Sequence, residues 1–91
     1  MVIDMEQAGI LVVDDDKEIA DLVEIHLVSE GYSVRKANSA GEGLKLLATE
    51  DIKLVILDIM MPGMDGLTMC RKIREYSTIS IIMLSAKSTD L

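Results

Sequence analysis

The fold is decided by the stretch Ile10-Leu-Val-Val-Asp-Asp-Asp16 and by its counterpart Leu54-Val-Ile-Leu-Asp58 further along the chain. Each consists of four consecutive apolar residues followed at once by aspartate. Short continuous apolar runs rich in Val and Ile are typical of strands that are buried on both faces of a parallel sheet. We therefore predict two buried strands that both end on acidic side chains.

The rest of the chain alternates between helical and extended patterns. Apolar spacing and capping residues predict three helices: Lys17 to Glu30, one opened by the capping box Ser39-Ala-Gly-Glu42, and one capped by Asp65. Two further strands are predicted at Tyr32 to Ala37 and at Ile79 to Leu84. Strands joined by helices of this length imply right-handed crossovers and a parallel sheet. We expect one α/β unit of four strands and three helices.

Helical spacing also predicts which residues face the core. In the first helix these are Ile19, Leu22, Val23, His26 and Leu27, and in the third they are Leu67, Cys70 and Ile73. Gly31 is expected to end the first helix. We interpret His26 as a packed or half-exposed helix residue rather than as a phosphohistidine. Cys70 is interpreted as a small core residue rather than as a reactive thiol.

Length and composition restrict the class of protein. The chain has 91 residues, which is enough for one small domain, and its net charge is -7 without a basic stripe. We therefore expect no nucleic-acid binding through this segment. No apolar run approaches the ~18 residues of a membrane span, and the first residues lack the features of a secretory signal. Cys70 is the only cysteine, which favours a cytoplasmic location and excludes an internal disulfide.

The aspartates that end the two buried strands predict a metal site. Ligands of an open parallel sheet bind beyond the carboxyl ends of its strands. If these two strands are neighbours, Asp14, Asp15, Asp16 and Asp58 converge there, and like charges so close together favour a bound cation. Oxygen ligands suit Mg²⁺ or Mn²⁺. The alternatives are that the first three aspartates only cap the following helix, as we expect of Asp16, and that Asp58 is a turn residue before Pro62.

A carboxylate beside a divalent cation can attack a phosphoryl group, because the cation screens the repulsion between the two anions. The expected product is an acyl phosphate on Asp58.

Three segments carry a resemblance to a known family. The stretches Ile10 to Asp16, Leu57-Asp-Ile-Met-Met-Pro-Gly-Met-Asp-Gly66 and Ile81-Ile-Met-Leu-Ser-Ala-Lys87 resemble, in this order, the segments that define response-regulator receiver domains of the OmpR/PhoB branch. Within that branch, the stretch from Glu18 to Glu24 and the stretch Gly66-Leu-Thr68 are similar to VanR-type regulators. The resemblance implies a doubly wound, flavodoxin-like parallel sheet with strand order 2-1-3-4, truncated after the fourth strand.

The resemblance also implies a role for individual residues. Asp58 would accept the phosphoryl group from a sensor histidine kinase. Mg²⁺ would be held by Asp15, by Asp14 directly or through water, by Asp58, and by the backbone carbonyl of Met60. Ser85 would donate a hydrogen bond to the phosphoryl group. Pro62 and Gly66 would shape the loop beside Asp58.

The family pattern includes parts that the 91 residues do not contain. A fourth helix, a fifth strand with a phosphoryl-binding lysine, and a fifth helix would follow Leu91, and in this branch a winged-helix DNA-binding domain usually comes next. Lys87 is not that lysine, because it follows the fourth strand, and we interpret it as a solvated loop residue. We expect weak phosphotransfer, and self-association or exchange of elements through the exposed fourth strand and the first helix, where Ile25 and Val28 would lie open.

Two other functions are compatible with the residues. A metal-dependent phosphohydrolase would use Asp14 and Asp16 as its Asp-x-Asp pair, but it would also need a lysine, further acids and a cap over the substrate. A folded interaction fragment without phosphotransfer activity is the other alternative. We expect a signalling receiver rather than an enzyme.

Overall fold

The computed structural model describes residues 9–84, so Ser85 and Lys87 lie outside the described residues. Four strands alternate with three helices within this range. The strands are β1 (Gly9–Val13), β2 (Ser33–Ala37), β3 (Ile52–Asp58) and β4 (Ser80–Leu84), and the helices are α1 (Lys17–Ser29), α2 (Ala40–Thr49) and α3 (Gly66–Arg74). The predicted elements are thus confirmed, with ends that differ by one or two residues.

All four strands are parallel and lie in the order β2-β1-β3-β4. This confirms the predicted strand order and the predicted contact between the two strands that end on aspartate. Val13 is aligned with Leu57, so β1 and β3 end at the same level. The acidic residues that follow Val13 therefore emerge beside Asp58.

The sheet separates two clusters of buried side chains. On one face, α2 and α3 cover Leu11, Val13, Val55 and Leu57, none of which is exposed to solvent. On the other face, α1 covers Ile10 and Val12 with Ala20, Val23 and Leu27. The alternation of side chains along each strand produces this division, since successive residues point to opposite faces.

Each helix begins at the predicted capping residue. The side chain of Asp16 accepts hydrogen bonds from the amides of Glu18 and Ile19. Ser39 accepts one from the amide of Glu42, and Asp65 accepts one from the amide of Thr68. Glu42 departs slightly from a capping box, because its carboxylate accepts from the amide of Asn38 rather than from that of Ser39.

Gly31 ends α1 as predicted. Its φ of 97° is in the left-handed region that favours glycine. The amide of Gly31 donates to the carbonyl of Val28, and the amide of Tyr32 donates to that of Leu27. This pair of bonds is a Schellman motif, which satisfies carbonyls at the end of the helix.

The buried faces of two helices were predicted only in part. In α1, Val23 and Leu27 pack inward as expected, but Ile19, Leu22 and His26 are exposed. In α3, Ile73 is buried as expected, whereas Met69 takes the place predicted for Leu67, which is 49% exposed. Cys70 is half-buried. Both helices are rotated from the predicted face, and the small residues Ala20 of α1 and Gly66 of α3 are buried.

No helix within residues 9–84 is long and apolar enough to cross a membrane.

Gly43 is needed for close packing between α2 and the sheet, whereas Gly41 in the same helix is not. A Cβ atom at Gly43 would lie 2.8 Å from Met69 Cε and 3.0 Å from Val13 Cγ2, but one at Gly41 would meet nothing within 4 Å. We predict that Gly41→Ala raises the free energy of unfolding by about 0.5–1 kcal/mol, through higher helix propensity. Gly43→Ala should instead lower it by about 1 kcal/mol or more, because overpacking outweighs that gain. Urea denaturation at one fixed protein concentration measures both, and equal stabilisation by the two changes would contradict the packing argument.

Candidate metal and phosphoryl site

Three of the predicted carboxylates meet at the carboxyl end of the sheet. Asp14 and Asp15 follow β1, and Asp58 is the last residue of β3. One ligand oxygen from each lies within 4.8 Å of the other two. Asp14 and Asp58 are buried, with 5% and 6% of their surface exposed, and Asp15 is exposed. The prediction that the aspartates of two strands converge is confirmed for these three residues.

Asp16 does not join the cluster, because its side chain caps α1. Its main chain helps to build the site, since the amide of Asp16 donates to Asp14 Oδ1 over 2.8 Å. The amide of Asp14 in turn donates to the carbonyl of Ala37, which continues the pairing of β1 with β2 by one residue. Asp14 is thus fixed at both its main chain and its side chain.

Asp58 is held by the turn that follows it. Its Oδ1 atom accepts a hydrogen bond of 3.0 Å from the amide of Met60. The amide of Ile59 donates to the carbonyl of Leu84 at the end of β4. These contacts involve the main chain of the neighbours, so they orient the Asp58 carboxylate without the need for a particular side chain at positions 59 or 60.

The cluster is electrostatically costly without a cation. Burial raises the pKa of the Asp14 carboxyl above its ordinary value, the hydrogen bond from the Asp16 amide opposes this rise, and the nearby Asp58 carboxylate adds to it. Within residues 9–84, no lysine or arginine forms an ion pair with these three carboxylates; the nearby Lys17 and Lys36 pair with Asp21 and Glu24 instead. The site therefore favours an added positive charge.

The donor set fits a small hard cation. Its ligand atoms are carboxylate oxygens, which Mg²⁺ and Mn²⁺ prefer over softer donors. A hollow of about 240 Å³ adjoins Asp14 and Asp15 and has Lys17, Lys36 and Asn38 among its other lining residues. Mg²⁺ usually keeps several waters when a few carboxylates bind it, and an open hollow beside the cluster leaves room for them.

The loop between Asp58 and α3 depends on Gly66. A Cβ atom there would lie 2.3 Å from the carbonyl oxygen of Asp58 and 2.8 Å from Ile59 Cα, and both are main-chain atoms that cannot rotate away. The Gly66 amide donates to the carbonyl of Ile59. Pro62 is exposed, while Met61 is buried and anchors the loop in the core. Gly66 was predicted to shape the loop, but its close approach to the main chain of Asp58 and Ile59 was not predicted. The hydrogen bonds that the carbonyls of Ala37 and Leu84 accept were not predicted either.

A family model for the response regulator receiver domain matches residues 10–91 of this chain. The chain belongs to this family, as the resemblance of its motifs predicted. Among curated proteins, it is similar to the regulatory protein VanR of Enterococcus faecium, at 52% identity over 82 residues.

Solved structures of receiver proteins share the fold. The response regulator TrrA of Thermotoga maritima, solved in complex with Mg²⁺-BeF, is 41% identical with a TM-score of 0.85, over 89% of this chain and 71% of that one. TrrA bound to the histidine kinase ThkA matches with a TM-score of 0.82, over 87% of this chain and 69% of that one. The match to VanR covers 90% of this chain but only 36% of that protein.

Because the pKa of Asp14 is raised in the folded chain, this residue should lower the free energy of unfolding of the metal-free protein in a pH-dependent way. Below about pH 3.9, the ordinary pKa of aspartate, this carboxyl is protonated in both the folded and the unfolded chain. As the pH rises, the unfolded chain ionises first, so stability falls until Asp14 ionises in the folded chain as well. In EDTA at pH 7, Asp14→Asn should therefore have a higher free energy of unfolding than the wild type, and the difference should vanish below about pH 4.

Urea denaturation in EDTA measures this difference. When the measurement is repeated in Mg²⁺, the free energy of unfolding should rise more for the wild type than for Asp14→Asn. Asp16→Asn is the matched control, because asparagine also caps helices well and the side chain lies outside the cluster. A lower stability of Asp14→Asn than of the wild type at pH 7 in EDTA would contradict the electrostatic account.

Proposed function

We propose that this chain is the phospho-acceptor part of a two-component response regulator, and that Asp58 receives a phosphoryl group from a sensor histidine kinase in the presence of Mg²⁺. The observation that carries the proposal is the position of Asp58, buried at the end of β3 with oxygens of Asp14 and Asp15 within 4.8 Å. Membership of the receiver family supports it. The 91 residues would form the N-terminal part of that domain.

The two oxygens of Asp58 would have different tasks. Oδ1 already accepts the amide of Met60, which leaves Oδ2 as the nucleophile. Oδ2 would form a bond to phosphorus while the bond from phosphorus to the donor's imidazole nitrogen breaks, and the imidazole would keep the electron pair of that bond. The product is an acyl phosphate on Asp58 and a free histidine on the donor.

Asp14 and Asp15 would hold the cation, together with Asp58 and the backbone carbonyl of Met60. The fit of these residues to Mg²⁺ rests on their oxygen donors and on the charge that they leave unneutralised. When bound, Mg²⁺ would screen the repulsion between carboxylate and phosphoryl oxygens. The Mg²⁺-BeF complex of TrrA supports this choice of metal. Ser85 would donate to a phosphoryl oxygen.

A histidine kinase is the partner that this chemistry needs, and the complex of TrrA with ThkA supports that choice. Each transfer would modify one aspartate once, so the chain would act as a switch rather than as an enzyme with turnover. The phosphohydrolase alternative is disfavoured, because Asp16, the second acid of its Asp-x-Asp pair, caps α1. The lone Cys70 supports a cytoplasmic location.

Phosphotransfer by the 91 residues should be slow. No lysine within residues 9–84 pairs with the cluster, so the described residues supply no cationic side chain to offset the charge on the phosphoryl oxygens. A missing electrostatic contact of this kind typically costs about 3 kcal/mol in the transition state.

We also propose that the 91-residue chain self-associates, which is supported by its exposed apolar residues. Ile82 and Leu84 of β4 are 49% and 37% exposed, and Leu22, Ile25 and Val28 of α1 are each more than half exposed. Large exposed apolar patches are typical of interfaces. Static light scattering tests this proposal, and a monomer at all concentrations would contradict it.

Labelling with acetyl phosphate tests the site itself. We predict that the wild type gains the mass of one phosphoryl group in Mg²⁺ and not in EDTA, and that Asp58→Asn gains none. Asp51→Asn is the matched control, because Asp51 is an exposed carboxylate that directly precedes Ile52, the first residue of β3, at the end of the strand away from Asp58. Peptide mapping after borohydride trapping should locate the group at position 58. Labelling of Asp58→Asn at the wild-type level, or labelling independent of Mg²⁺, would refute the proposed function.

A further inference from the structure

Two lysines lie beside the acidic cluster without pairing with it. Lys17 and Lys36 line the same hollow of about 240 Å³ as Asp14 and Asp15. Lys36 of β2 is aligned with Val12 of β1, two residues before Asp14. From the rise along a strand and the spacing between strands, the main chains of Lys36 and Asp14 are roughly 8 Å apart, a distance that long side chains span. Both lysines are therefore potential partners of the cluster.

Asp21 of α1 binds both lysines instead. Its Oδ2 atom lies 3.0 Å from Lys17 Nζ, and its Oδ1 atom lies 2.6 Å from Lys36 Nζ, so each carboxylate oxygen faces one ammonium group. The hydrogen bonds from Lys36 and Lys17 hold the pKa of the Asp21 carboxyl below its ordinary value. Lys36 has a second partner in Glu24, at 2.8 Å. Lys17 forms no other ion pair among the described residues.

The stability of α1 does not account for the pair that Lys17 forms. Lys17 is the first residue of α1, where the positive end of the helix dipole disfavours a cation. A lysine four residues before an acid is also the less favourable order of such a pair. The side chains of Lys17 and Asp21 are 83% and 39% exposed, and exposed ion pairs contribute little to stability. The pair matters more for the place that it denies to the Lys17 ammonium group.

The acidic cluster is the alternative partner for a released lysine. Asp14 and Asp15 belong to a group of three carboxylates within 4.8 Å of one another, and they form no ion pair with a described lysine or arginine. Without Asp21, the Lys17 ammonium group would be attracted across the shared hollow to this unneutralised charge. A lysine held there would partly neutralise the charge that attracts a metal ion.

We propose that Asp21 keeps Lys17 and Lys36 out of the acidic cluster, so that the site stays free for Mg²⁺. An ammonium group bound to Asp14 or Asp15 would have to be displaced before the metal binds. Asp21 is a positioning residue, because it acts through the two lysines and has no contact with the metal ligands. The inference rests on the proposed function for the identity of the cation, and it adds a residue that sets the affinity for that cation.

Isothermal titration calorimetry with Mg²⁺ tests the proposal without a phosphoryl donor. We expect Asp21→Asn to weaken Mg²⁺ binding by roughly fivefold, about the strength of one exposed ion pair that the metal must displace. The competitor is Lys17, which loses its partner, whereas Lys36 keeps Glu24. Far-UV circular dichroism checks that the variant is folded.

Glu18→Gln is the matched control for the lost charge. Glu18 is an exposed acid in the first turn of α1 and contacts no lysine among residues 9–84. At about 0.15 M salt, charges beyond about 8 Å are largely screened, so Glu18→Gln should change the Mg²⁺ affinity by less than about twofold. Equal losses of affinity in Glu18→Gln and Asp21→Asn would overturn the proposal, because net charge alone would then explain both.

A second substitution in Asp21→Asn tests whether the lysine is the competitor. Adding Lys17→Met should restore the wild-type affinity, because the competing ammonium group is gone. Adding Lys45→Met restores the same net charge, but Lys45 is exposed on α2 and does not line the hollow, so the affinity should stay low. Failure of Lys17→Met to restore binding, or equal rescue by Lys45→Met, would contradict the role of Asp21.

Labelling with acetyl phosphate separates this inference from the proposed function. In Asp21→Asn, the Mg²⁺ concentration for half-maximal labelling should rise by roughly fivefold, while the rate at saturating Mg²⁺ should match that of the wild type. A lower rate at saturating Mg²⁺ with unchanged half-maximal concentration would overturn the inference and leave phosphorylation of Asp58 intact. A wild type that binds Mg²⁺ but is never labelled would overturn the proposed function alone, since the calorimetric comparison would still test Asp21.

Discussion

The structure depends on the pairing of β1 with β3, which brings buried carboxylates together at one end of the sheet. Val13 and Leu57 are aligned at the ends of β1 and β3, so the residues that follow them, Asp14 and Asp58, lie beside each other. Both aspartates are buried. The direct cost appears in the raised pKa of Asp14. A fold selected for stability alone would not bury acids next to one another. Their presence is explained by a ligand of opposite charge, and the chemistry of a receiver domain follows from that ligand.

The parts around the carboxylates serve to keep them in place. Main-chain amides of Asp16 and Met60 hold one oxygen of Asp14 and one of Asp58, which fixes the orientation of each group while leaving its other oxygen available. Gly66 brings the start of α3 against the carbonyl of Asp58, at a distance that no larger residue permits. The positions of the acids are thus determined by backbone contacts. Side chains at neighbouring positions can differ without disturbing the site, as the exposed Met60 illustrates.

Much of this arrangement could be predicted from the sequence, because the relevant signals are local. Runs such as Ile10 to Val13 identify buried strands, and Asp16, Ser39 and Asp65 identify the starts of helices by the hydrogen bonds that their side chains can accept. The orientation of α1 could not be predicted, since apolar residues occupy more than one of its sides. In the structure Ala20, Val23 and Leu27 pack on the sheet, while Asp21 and Glu24 contact Lys36 of β2. The close approaches at Gly43 and Gly66 were also beyond sequence reasoning, because they depend on where distant main-chain and side-chain atoms lie.

The end of β4 is connected to the carboxylate cluster by a main-chain hydrogen bond. The carbonyl of Leu84 accepts the amide of Ile59, the residue directly after Asp58, so the last residue of β4 helps to orient the turn at the site. Leu84 is the last residue of β4, and its side chain is 37% exposed. An edge strand with one paired side has fewer contacts to hold it than an inner strand does. Because Ile59 directly follows Asp58, a displacement of the end of β4 would reach the turn that orients the Asp58 carboxylate.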